Sequence, residues 1–157
     1  MNKLNVADLP WEENVSPKKN FHSFSKEISK ALGAGRNVWP KSGHPFDLSL
    51  MRLPPGKSVC PFHSHTAQHE LFVILSGEGT VRVDSERHSV KAGDALIHPP
   101  GEAHQIINTG TEDLVFYIVA DNPPVDIFHY PDSDKWGIRP RGKFFRATDV
   151  AYFDAEE

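Results

Sequence analysis

The sequence is poor in cysteine, in long apolar runs and in positive charge, and each scarcity removes a class of protein. A single cysteine, Cys60, leaves no internal disulfide to staple a small secreted fold. The N-terminal stretch MNKLNVADLPWEENV has no apolar segment long enough for a signal peptide or a membrane span, so the expected address is cytoplasmic, with no membrane partner. Lys and Arg number 17 against 21 Asp and Glu, a net charge of −4, so the basic excess that drives non-specific nucleic-acid binding is missing. Helical periodicity is also scarce: apart from Phe24 to Leu32, no segment repeats its apolar residues every 3.6 positions. No internal repeat or low-complexity tract is present.

What remains is the pattern of a mostly β protein. Hydrophobic residues at 38% and charged residues at 24% suit one globular core, and 157 residues suit one domain, 1–157. Thirteen prolines and eleven glycines punctuate short apolar runs. FDLSLMRL is followed by PPGKS, HELFVIL by SGEG, TVRVD by SERH, ALIH by PPGE and HQIIN by TGTED, and LVFYIVA closes the series. Strands at this spacing predict an antiparallel sandwich or barrel with its core at about 46–120. The flank 1–45 reads as polar and loop-rich, carrying Trp11, Phe21, Phe24 and Trp39. The tail 121–157 holds six aromatic residues between Phe128 and Tyr152, which are expected to pack on the barrel or on a second subunit.

Histidine is where chemistry gathers. In CPFHSHTAQHELFVILSG, His63 and His65 stand two apart, so on a strand both side chains leave one face. Glu70 opens the next apolar run, and His104 follows in PPGEAHQIIN. Three imidazoles and a carboxylate suit iron, manganese, nickel, zinc or copper better than calcium or magnesium. An H-x-H pair alone is a weak signal, because paired histidines on strands are often simply packed or exposed. The surrounding spacings change its weight.

Gly56, His63, His65, Glu70 and Gly77 follow the first motif of the cupin superfamily, with four residues between His65 and Glu70 and six between Glu70 and Gly77. The one departure is a six-residue spacer from Gly56 to His63, where five is common. Gly93, Pro99, Gly101, His104 and Asn108 match the second motif at every spacing. The chain thus resembles the cupins over roughly 46–120, and MRLPPG and YPDSDKWG are similar to small stand-alone bacterial cupins of the sugar-phosphate isomerase-like kind. The resemblance implies an all-β double-stranded β-helix, or jelly-roll barrel. It implies a divalent transition metal (Fe, Mn, Ni or Zn) on His63, His65, Glu70 and His104, and a homodimer.

The function implied is a metal-dependent enzyme on a small polar metabolite, with sugar or sugar-phosphate isomerisation favoured. A dioxygenase that uses iron, or a module that holds a ligand or metal without turnover, are the alternatives. A base beside the open metal position would serve isomerisation, and His98, just before Pro99, is the nearest sequence candidate; a packed or hydrogen-bonded role competes with it. His69, adjacent to Glu70, is expected to face away from the site. His129, Tyr130, Asp132 and Lys135 lie where a lid would form, unless Asp and Pro merely fix a turn there. Arg52 and Gln105 are candidate pocket contacts, and Asn108 reads as a turn residue. Arg139, Arg141, Lys143 and Arg146 read as a solvated or inter-subunit face. Cys60 reads as a structural thiol.

Overall fold

A computed structural model describes residues 1–33 and 45–156. The apolar runs of the middle section become strands β3 (Phe46–Leu53), β5 (Glu70–Ser76), β6 (Glu78–Val83), β8 (Ala95–His98), β9 (His104–Ile107) and β10 (Leu114–Asp121). The N-terminal flank supplies β1 (Glu12–Val15) and β2 (His22–Glu27), a two-residue β4 (Ser64–His65) follows β3, and β7 is Glu86–Lys91. The tail forms β11 (Asp126–Tyr130), β12 (Lys135–Arg139) and β13 (Lys143–Phe145). Among the described residues the paired strands run antiparallel, in sheets ordered β1-β2-β3-β10-β5-β8, β7-β6-β9 and β13-β12-β11-β4.

The first two sheets enclose the core, as in a double-stranded β-helix. Met51, Leu53, Phe72, Ile74, Leu114 and Phe116 come from the large sheet and Val81, Val90 and Ile106 from the small one. Each sits at alternate positions of its strand, so one face of each sheet is apolar and meets the other. Phe116 and Leu114 are wholly buried at the centre. The sequence pattern of period two is therefore the pattern of the core.

Turn chemistry positions the functional end of this barrel. Pro99, Pro100, Gly101 and Glu102 form a turn closed by the Glu102 N–H donating to the Pro99 carbonyl at 3.2 Å, with Gly101 at φ 91°. Proline at the second position and a glycine with positive φ at the third are what a type II turn requires. The Gly101 N–H then donates to the carbonyl of His65 at 2.7 Å, tying this turn to β4.

Three expectations are corrected. The segment Phe24 to Leu32 is divided, with β2 running to Glu27 and a helix, α1, confined to Ile28–Leu32, because Phe24 and Lys26 pair with Arg52 and Leu50 in the neighbouring strand. SERH does not make the whole turn: β6 and β7 are joined at Asp84 and Ser85, Asp84 lying at φ 47°, and Glu86 already pairs with Val83. β7 escaped notice because Val90 is its only buried residue. The tail is a sheet in its own right. Of its aromatics Phe128 is buried and Tyr130 and Trp136 are half-buried, while Phe144, Phe145 and Tyr152 stay exposed. Trp39 lies outside the described residues.

Candidate metal centre

Local structure brings the four predicted residues together. His65 is on β4, Glu70 opens β5 and His104 opens β9. His63 lies just before β4 and is bridged to His104 through two backbone hydrogen bonds, of 3.1 and 2.8 Å. Side-chain donor atoms of His63, Glu70 and His104 lie within 4.8 Å of one another. His65 stands beside this trio, its Nε2 3.0 Å from His63 Nε2 and 4.0 Å from Glu70 Oε1. All three histidines are buried.

The outer nitrogen of each ring decides what the inner one offers. His63 Nδ1 faces the Pro61 carbonyl at 3.0 Å, His104 Nδ1 faces the Glu102 carbonyl at 3.2 Å, and His65 Nδ1 faces Asp126 Oδ2 at 2.5 Å. These partners only accept, so the network assigns the ring hydrogen to Nδ1 in each case. Three Nε2 lone pairs then converge with a carboxylate, and His104 Nε2 lies 3.0 Å from Glu70 Oε2. Electron pairs this close repel unless a positive charge sits among them. For metal–donor distances of about 2.1 Å, two donors 3.0 Å apart subtend an angle of roughly 90° at the ion. The residues therefore fit a divalent ion bound through Nε2.

Electrostatics keep His63 and Glu70 in the binding form. Burial pushes the His63 pKa down to about 4, with the neighbouring His65 and His104 adding to the effect and the charge of Glu70 opposing it. The ring is thus neutral at neutral pH. Burial pushes Glu70 upward, but the neighbouring imidazoles, His104 first, outweigh it and hold the carboxyl at about 2. Burial, then the charge of Glu70, pushes the Cys60 thiol up to about 12, which fits a protonated structural thiol beside His63.

The remaining candidates fall into place around this group. His98, paired across strands with Glu70, stacks on the His104 ring with centroids 4.0 Å apart and planes 6° apart. Its Nδ1 meets Glu102 Oε1 at 2.6 Å, while its buried Nε2 has no hydrogen-bond partner. Burial, then the neighbouring His104, lowers its pKa. His69 is exposed and held by Asp121, away from the centre. Tyr130 stacks on His63 with centroids 5.9 Å apart. His129 instead stacks on Trp136, and Lys135 lies over the Tyr130 ring. Asp132 sits in the turn Pro131–Ser133 and takes both guanidinium nitrogens of Arg82, at 2.7 and 3.0 Å. Arg52 covers Trp11 and Phe24, outside the barrel. Gln105 donates to the Cys60 carbonyl, and Asn108 ties its own turn by donating to Leu53 and Glu112 and accepting from Gly110. Arg141, Lys143 and Arg146 are exposed, whereas Arg139 packs over Phe128.

Asp126 is the residue that the sequence did not reveal. It lies 61 positions from His65 and belongs to neither motif. Its only signal is position: it opens the alternating run DIFHY, whose first, third and fifth residues share one face.

Comparison with known proteins agrees with this architecture. A family model described as "Cupin domain" matches residues 49–120. An oxalate-binding protein of Thermotoga maritima is 44% identical over 69 residues, covering 44% of this chain and 56% of that protein. Auxin-binding protein T85 of Nicotiana tabacum is 35% identical over 143 residues, covering 83% of this chain and 73% of that protein. The crystal structure of a cupin-superfamily sugar phosphate isomerase from Silicibacter pomeroyi superposes with a TM-score of 0.77 at 22% identity, covering 96% of this chain and 97% of that one. No described helix is long and apolar enough to cross a membrane.

Proposed function

The chain belongs to the cupin superfamily, and from that premise we propose that His63, His65, Glu70 and His104 hold one divalent transition ion that acts on a small polar metabolite. The observation that carries this reading is the convergence of three Nε2 lone pairs on a carboxylate, each ring turned by an acceptor at its Nδ1. When bound, the ion supplies a Lewis acid that polarises an oxygen of the ligand.

The chain's own residues supply orientation and a route for protons. Glu70 and His63 stay in their binding form at neutral pH, since His63 is held near 4 and Glu70 near 2. His98 and Glu102, joined at 2.6 Å beside His104, form the pair we assign to proton transfer. That pair favours isomerisation of a sugar or sugar phosphate, in which a proton leaves one carbon and returns to its neighbour. A second reading is non-catalytic retention of a small carboxylate, favoured by the 44% identity with the oxalate-binding protein of Thermotoga maritima.

The test begins with tag-free protein, its metals measured by plasma mass spectrometry before and after reconstitution with iron, manganese, nickel and zinc. Near-stoichiometric metal that disappears in the His63→Ala, His104→Ala double variant supports the centre. A protein that retains none of the four ions overturns it. The loaded protein is then offered sugar phosphates in deuterium oxide. Deuterium appearing at a carbon position, and lost in His98→Asn with metal retained, supports isomerisation; oxalate binding without exchange supports the second reading.

A further inference from the structure

Strand β11 presents Asp126, Phe128 and Tyr130 on one face, and each touches a proposed metal ligand. Phe128 meets the His65 ring edge to face at 5.8 Å, and Tyr130 stacks on His63. Asp126 does more than touch. Its carboxylate is fully buried, one oxygen meeting His65 Nδ1 at 2.5 Å. The other oxygen accepts from the backbone N–H of Thr66 at 3.1 Å, from that of Ala67 at 2.9 Å and from the Thr66 hydroxyl at 3.3 Å. The three residues His65, Thr66 and Ala67 thus begin the loop that leads to Glu70, and a carboxylate from the tail sheet clamps them.

We propose that Asp126 is the positioning residue of the metal centre: it fixes the Nδ1–H form of His65, aims the Nε2 lone pair inward, and makes metal binding depend on the docking of β11. The inference rests on the metal reading above. A carboxylate behind a ligating imidazole orients the ring and raises its basicity, and loss of such a partner commonly lowers metal affinity about 10- to 100-fold. Phe128 is seated by Gly137 across the β11–β12 pair, where a β-carbon would collide with its ring. The tail sheet is therefore shaped to present this face.

The decisive variant is Asp126→Asn, which keeps the volume. Its amide oxygen satisfies the two backbone donors, which leaves the NH2 group directed at His65 Nδ1. Two donors cannot face each other there, so His65 has to move its hydrogen to Nε2, the nitrogen that would bind metal. Nitrogen-15 NMR of the metal-free protein reads this directly. The expected result is the Nδ1–H form of His65 in the wild type, the Nε2–H form in Asp126→Asn, and zinc affinity lowered 10- to 100-fold in a competition titration. Unchanged form and unchanged affinity in the variant overturn the proposal. Wild-type protein with His65 in the Nε2–H form overturns it too, even if the variant does not fold. If the wild type binds no metal yet His65 changes from the Nδ1–H form to the Nε2–H form in Asp126→Asn, the metal reading fails and the Asp126–His65 coupling stands.

Discussion

Acidifying the metal-free protein should weaken it through His63 in a window set by two proton affinities. The folded-state pKa of His63 is lowered from 6.5 to about 4, because its ring is buried among other imidazoles. Between those values the unfolded chain binds a proton that the folded chain refuses, so stability falls as pH falls. One pKa unit is worth about 1.4 kcal/mol. From pH 7 to pH 5 the loss sums to about 2 kcal/mol, a drop of roughly 4–8 °C in melting temperature for a chain of this length. Glu70 does not mask it. Its carboxyl is lowered from 4.5 to about 2, so its contribution is complete above pH 4.5 and is lost only as pH falls towards 2. The assay is urea unfolding, followed by tryptophan fluorescence in the presence of a chelator, at pH 7, 6 and 5. His63→Gln removes the titrating group and should flatten the curve by that same 2 kcal/mol relative to wild type. Parallel curves for the two proteins would refute the assignment of a buried, neutral His63.

Two further outcomes follow from the packing. Phe116→Ala empties the centre of the core, where the ring is fully buried among Met51, Ile74 and Phe72, and should cost about 3–5 kcal/mol in urea unfolding; a loss under about 1 kcal/mol would mean that the two sheets do not meet there. The Cys60 thiol, pushed to about 12, should react with a disulfide reagent at pH 8 far more slowly in the native protein than in urea, and equal rates would place it in solvent.

The barrel was legible because its chemistry is local. FDLSLMRL, ALIH and LVFYIVA alternate between core and surface, and the strands found there, β3, β8 and β10, begin at the predicted residues. β7 was illegible for the same reason in reverse: with one buried residue among six, its pattern is that of a polar loop, and only pairing with β6 makes it a strand. The short helix was overextended because Phe24 to Glu27 satisfies a helical period as well as a strand period. Pairing with β3 decides between them.

The sequence by itself singled out His63, His65, Glu70 and His104 as the candidate donors, because a histidine pair, a glutamate and a third histidine stand at the spacings of two motifs. It also determined the type II turn, since proline and glycine permit few backbone conformations. Only the tertiary structure decided which nitrogen each histidine offers. That choice depends on acceptors at Pro61, Glu102 and Asp126, the last brought from 61 residues away by a sheet whose pairing no local pattern encodes. A hydrogen bond acts over about 3 Å, whereas sequence motifs record only separation along the chain. The residue that orients a ligand can therefore come from any segment that the fold lays against it.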